Sequence, residues 1–261
     1  MRLPIYQVDA FADKLFGGNP AAICPLPQWL PDATMQAIAA ENNLAETAFF
    51  VRDGGDYALR WFTPAVEVDL CGHATLASAH IVFSFLEPKR ESVNFQTLKA
   101  GTLSVARRAD LLVMDFPSRP PAPAEAPVGL LAALGGKPRE VLKARDHLVV
   151  YGSAAEVLAL TPDFAALGKV DGWATAATAP GEDGVDFVSR FFAPRQGIDE
   201  DPATGSSHCT LVPYWAKRLG KTDLEARQVS RRGGALRCAL RGDRVSIGGR
   251  AVLYLEGQIT V

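Results

Sequence analysis

Two short stretches gather groups that could handle protons and anions. Residues 71–75 read CGHAT, and residues 200–208 read EDPATGSSH, which brings two carboxylates, two serine hydroxyls and an imidazole together. An apolar run continues each one: HATLASAHIVFSFL at 73–86 and CTLVPYW at 209–215. Small polar residues at the start of a buried helix leave its first backbone N–H groups unsatisfied. With the positive end of the dipole, about half an elementary charge, they form a site for an anion such as a carboxylate. Ser, Asp and Gly are also ordinary helix caps. Asp201 could therefore only cap its helix, His73 could cap or pack, and His208 could be a satisfied core residue or a support behind a site. His80 and His147 lack companions at metal-ligand spacing.

The composition narrows the partners. The chain has 261 residues, 48% hydrophobic and 21% charged, which suits a packed soluble protein of two lobes. A net charge of −2 and a pI near 6.1 supply no basic field for nucleic acid or an anionic membrane. The expected partner is a small carboxylate-bearing metabolite. Cys24, Cys71, Cys209 and Cys238 have no CxxC spacing, and MRLPIYQVDAF lacks the apolar run of a signal peptide, so a cytoplasmic chain with reduced thiols is expected. No segment approaches the roughly 18 uninterrupted apolar residues of a membrane span. GxGxxG, GxxxxGK[ST] and GxSxG are absent, and neither a cofactor nor a metal is implied.

The elements that must position these groups occur twice. DGGDYALRWFTP at 53–64 matches DGVDFVSRFFAP at 183–194 without a gap, and GTLSVARRAD at 101–110 matches GALRCALRGD at 234–243. Two blocks in one order at nearly one offset indicate two copies of a folding unit. In each copy a strand precedes a proline, an apolar helix comes next (about 73–86 and 205–219), and the second block reads as a hairpin. The class is α+β with antiparallel character. PSRPPAPAEAP at 117–127 reads as a stiff boundary without helix or sheet between lobes 1–117 and 128–261. Strands are expected near 3–11, 21–26 and 46–51, with a helix capped by Asp32 between the last two. The final strand, AVLYLEGQITV, could pair with either lobe. Extending the first block's register past its proline pairs Cys71 with Asp201. If the copies face each other, both positive helix ends point into one cleft.

These residues, with QVDAF at 7–11, GGNPAAIC at 17–24, NNLAETAFF at 42–50, RFFAP at 190–194 and RRGG at 231–234, resemble the PhzF-like family of phenazine-biosynthesis isomerases over nearly the whole chain. The resemblance implies the diaminopimelate epimerase-like fold: two pseudo-symmetric lobes, each a curved antiparallel sheet around a central helix. It implies that Glu46 is the acid/base, and that His73 and Asp201 orient the substrate. Gly205 and Ser206 would bind the substrate carboxylate, with Asn19 and Gly72 also at the substrate. It suggests the phenazine precursor dihydro-hydroxyanthranilate as a possible substrate and a homodimer as the assembly.

Glu46 adjoins the apolar run TAFFV, where an unpaired charge is costly. A carboxyl group in a partly dry site can take a proton from one carbon and deliver it to another. Thiol-pair racemisation needs two opposed thiols, and with Cys71 facing Asp201 only one is present. The expected activity is thus a cofactor-independent isomerase. Two alternatives stand: an epimerase using Cys71, and a non-enzymatic metabolite-binding protein that retains the fold.

Overall fold

The computed structural model describes all 261 residues, which fold into two compact units: Met1–Asp115 with Gly248–Val261, and Phe116–Ile247. The N-terminal unit is built on β1 (Arg2–Ala10), β2 (Asn19–Leu26), β3 (Glu46–Asp53), β4 (Asp56–Phe62), β5 (Glu67–Val68), β6 (Ser92–Gln96), β7 (Thr102–Arg108) and β8 (Leu111–Pro117). The other carries β9 (Ala122–Pro123), β10 (Glu140–Lys143), β11 (His147–Val150), β12 (Thr175–Pro180), β13 (Phe187–Ala193), β14 (Ile198–Asp201), β15 (Asp223–Gln228), β16 (Gly234–Arg241) and β17 (Arg244–Gly249). The last strand, β18 (Ala251–Thr260), runs antiparallel along β1 and so belongs with the N-terminal unit.

The helices are α1 (Asp32–Asn42), α2 (Gly72–Ile81), α3 (Leu130–Leu134), α4 (Ala154–Leu158), α5 (Phe164–Leu167) and α6 (Gly205–Leu219). None is long and apolar enough to cross a membrane. α2 is buried almost all round and packs against β1, β2, β3 and β7. Its Ala74, Ala77, Ser78 and Ala79 are small enough to admit strands on several sides. β3 is buried on both faces because α1 covers one, where Phe49 and Phe62 join Met35 and Ile38, and α2 covers the other. The 73–86 run does not stay α-helical: from Val82 to Leu86 it widens into a π-turn, where Arg107 Nη2 donates to the Phe83 carbonyl at 2.7 Å.

The two units repeat one strand plan. β1–β2 is antiparallel, β2–β3 parallel, β3–β4 antiparallel, β4–β6 parallel and β6–β7 antiparallel. β10–β11, β11–β12, β12–β13, β13–β15 and β15–β16 repeat that series. The side chains repeat as well. Arg60 forks onto Glu67 through two 2.7 Å bonds and lies over Phe62; Arg190 forks onto Glu200 at 2.7 and 2.8 Å and lies over Phe192.

That equivalence corrects the register. Arg60 and Arg190 are 130 positions apart, but Glu67 and Glu200, like the helix starts Gly72 and Gly205, are 133 apart. The second copy inserts three residues between Arg190 and Glu200, where the turn Pro194–Gln196 lies. The true counterpart of Cys71 is therefore Thr204, since each is the residue preceding its helix, and not Asp201. Two further local expectations differ. Pro31 holds the cap position of α1, and the Asp32 carboxylate instead accepts from Arg60 Nη1 at 2.8 Å. The proline-rich segment is not free of sheet: Ala122 and Pro123 pair with β10, a position at the edge that a residue without an N–H can occupy.

Gly18, which leads into β2, has φ +61°, and a Cβ there would sit 2.1 Å from the Ala10 carbonyl oxygen. Gly18→Ala is expected to cost about 2 kcal/mol or more, lowering Tm by roughly 5 °C or more in calorimetry.

Candidate active site

Three elements of the N-terminal unit begin at one place. Asn19 is the first residue of β2, Glu46 the first of β3, and His73 the second of α2. Parallel pairing sets Ala21 of β2 beside Glu46, so Asn19 and Glu46 lie on the same face one step apart. The α2 start then delivers His73 between them. His73 Nε2 lies 3.1 Å from Glu46 Oε2, while Nδ1 is 3.2 Å from Asn19 Nδ2 and 3.4 Å from Cys71 Sγ. Glu46 is 9% exposed and His73 5%. The close approach of Nε2 and Oε2 is out of line for a hydrogen bond, and neither atom has another partner. The structure thus brings Glu46, His73, Asn19 and Cys71 together, with Gly72 half-buried between the thiol and the imidazole.

The electrostatics result from this crowding. Burial opposes charge on His73, but Cys71 and Glu46 beside it outweigh burial and hold the imidazole well above its ordinary 6.5. Burial, reinforced by the Glu46 charge, pushes the Cys71 thiol up to about 11. Glu46, Cys71 and His73 offer ligand atoms within 4.8 Å of one another, a set of types that zinc accepts. However, the imidazole presents Nε2 to the carboxylate and Nδ1 to the sulfur, so the three do not aim at one point.

In the second unit, Asp201 ends β14 and Gly205 and Ser206 open α6. The Asp201 carboxylate accepts from the Thr204 hydroxyl. Gln228 Nε2 donates to the Asp201 carbonyl at 2.5 Å and to Thr204 Oγ1 at 3.1 Å, and Gln228 Oε1 accepts from the Thr204 amide at 2.8 Å. With its hydroxyl engaged there, Thr204 puts no side-chain cap on the first-turn amides of α6, and Cys71 puts none on those of α2. Gly205 is buried and Ser206 half-buried. Thr204 and Gln228 were not singled out in the sequence. Thr204 could have been found as a hydroxyl one position before the helix, but Gln228 lies 24 residues further along with no local signal.

His208 supports the helix. Its Nδ1 donates to the Thr204 carbonyl at 2.8 Å, the role played by the Thr75 hydroxyl on the Cys71 carbonyl at 2.6 Å. A recess of about 70 Å³ in the N-terminal unit, lined by Leu59, Arg60, Trp61, Val68, Asp69 and Lys99 among others, does not include Glu46 or His73.

The chain is similar to known proteins over nearly its whole length. Residues 8–257 match the family model PhzC-PhzF, described as phenazine biosynthesis-like protein. An uncharacterised isomerase of Pseudomonas aeruginosa is 54% identical over 259 residues, 99% of each chain. The crystal structure of a PhzF-family phenazine biosynthesis protein from Enterococcus faecalis superposes with a TM-score of 0.97 at 48% identity, covering 100% of both chains. A hydroxyproline epimerase of Agrobacterium vitis shares the fold, with a TM-score of 0.60 at 12% identity over 99% of this chain and 92% of that one.

Burial holds His208 down at about 4, below its ordinary 6.5. The unfolded chain takes up this proton first, so the stability contribution is complete above pH 6.5 and is lost as pH falls towards 4. A shift of that size corresponds to about 3 kcal/mol. Urea unfolding at pH 7.5 and 4.5 should show this loss, and His208→Gln should remove that part of the slope.

Proposed function

The chain belongs to the phenazine biosynthesis-like (PhzC-PhzF) family, and from that membership we propose that it is an isomerase that moves a proton within a small carboxylic acid, with Glu46 as the acid/base and no cofactor. The observation that supports this reading best is the buried approach of Glu46 Oε2 to His73 Nε2, 3.1 Å apart with no hydrogen bond made by either atom. A carboxylate kept from water and without a donor on that oxygen can accept a proton from carbon. A histidine held towards its charged form offers positive charge close to the anion that proton removal creates. The same carboxyl group, once protonated, returns the proton to another carbon on the same face. His73 and Asp201 orient the substrate in this reading. Asn19, Gly72, Gly205 and Ser206 bind it, and the uncapped amides at the start of α6 receive its carboxylate.

Cys71 is the group on which an epimerase reading would depend. Its thiol is 3.4 Å from His73 Nδ1 but is pushed up to about 11, and its counterpart in the second copy is Thr204. A single thiol without an opposed base does not run a two-base exchange at carbon.

In D2O, incubation with dihydro-hydroxyanthranilate or a mixture of small carboxylic acids should place deuterium on carbon in recovered substrate or product. Glu46→Gln is expected to slow exchange and turnover by roughly 10²- to 10⁴-fold with circular dichroism unchanged. Undiminished exchange in that variant would refute the assignment. Cys71→Ala is expected to keep turnover within a few-fold; loss there, with Glu46→Gln tolerated, would favour the thiol epimerase.

A further inference from the structure

Trp61 is 2% exposed, and its indole Nε1 has no hydrogen-bond partner. Buried polar side-chain atoms are nearly always satisfied, and leaving one unpaired destabilises the fold by about 1–3 kcal/mol. In the same unit, Glu46 Oε2 and His73 Nε2 are also buried without such a partner. Trp61 belongs with them by register. It stands opposite Ala48 on the neighbouring strand, and Ala48 is two residues beyond Glu46, so the indole and the carboxylate share the sheet face that α2 covers. On its other side Trp61 pairs with Val68, and the chain runs from there through Asp69 into Cys71 and the start of α2.

Packing does not account for the indole nitrogen. The second copy fills the equivalent position with Phe191, which is buried with no polar edge at all. The N–H is specific to the copy that holds Glu46 and His73.

We propose that Trp61 is a positioning residue of the Glu46–His73 site, its indole N–H donating to an acceptor oxygen of the bound substrate. The inference rests on the isomerase reading of that site. It makes Trp61 a determinant of which acid is accepted, because a substrate without an oxygen at this point leaves the donor unpaired.

Nitrogen-15 NMR tests this on the intact protein, with anthranilate as the probe carboxylate. The four indole N–H signals are few enough to assign, and the one missing in Trp61→Phe identifies Trp61. On titration that signal should move together with the ring resonances of His73. Trp61→Phe should weaken anthranilate binding about ten- to a hundredfold while the His73 ring still responds at saturation. If His73 responds and the Trp61 indole of the unaltered protein does not, the inference falls and the reading of the site stands. Unchanged affinity in Trp61→Phe has the same meaning. If neither group responds, both are overturned.

Discussion

A carboxylate buried against an imidazole is what the N-terminal unit has to be built to hold. Removing such groups from water costs several kcal/mol each, and mutual attraction offsets that only when their positions are tightly held. Here the holding is done by three element starts. β2 begins at Asn19, β3 at Glu46 and α2 at Gly72. Parallel pairing of β2 with β3 brings two of those starts to the same end of the sheet, and an antiparallel pair would have separated them. Parallel strands need a crossover between them, and α1 supplies it on the face opposite α2. The fold thus positions Glu46 through backbone pairing, and His73 only has to come off a helix that the same sheet already wraps.

The cost of this arrangement is visible in what the buried polar atoms do not do. Oε2 of Glu46 and Nε2 of His73 sit 3.1 Å apart inside the unit without hydrogen-bond alignment. The second unit shows the contrasting solution on the same strand plan. Asp201, Thr204 and Gln228 satisfy one another around the α6 start, leaving its first-turn amides without a side-chain cap. One copy offers side-chain chemistry at its helix start, and the other offers backbone donors held by a closed polar network.

Much of this was legible in the sequence because duplication doubles every signal. The alternation of DYALRWF and the run TLSVARR marked strands where they occur, and α6 spans the predicted 205–219. The grouping of Glu46, His73 and Asn19 could not come from spacing, since parallel pairing joins segments 27 residues apart without a local trace; it came from the family resemblance. The register past Pro194 was misread because an insertion of three residues leaves no break in composition, and only the paired forks of Arg60 and Arg190 onto their glutamates expose it. Gln228 was invisible for the same reason as any long-range cap. The continuous apolar run at 73–86 hid the change from α to π turns, because hydrophobicity does not register hydrogen-bond spacing.

The two buried histidines show why residue type and burial alone do not define a site. His73 and His208 both lie within the first turns of their central helices, both are almost wholly enclosed, and burial opposes charge on each. They nevertheless end on opposite sides of the ordinary value. His208 has a carbonyl on one nitrogen, nothing on the other and Phe187 against its ring, so desolvation prevails and it remains neutral. His73 faces a carboxylate and a sulfur, and these reverse the outcome. The start of the neighbouring strand makes the difference: β3 presents Glu46 to the α2 start, whereas the register of β12, with Thr175 opposite Phe192 as Thr47 is opposite Phe62, puts Ala174 at the Glu46 position. Duplication produced two equivalent helix starts, and a carboxylate at the mouth of one strand is enough to set the two histidines on opposite sides of their ordinary value.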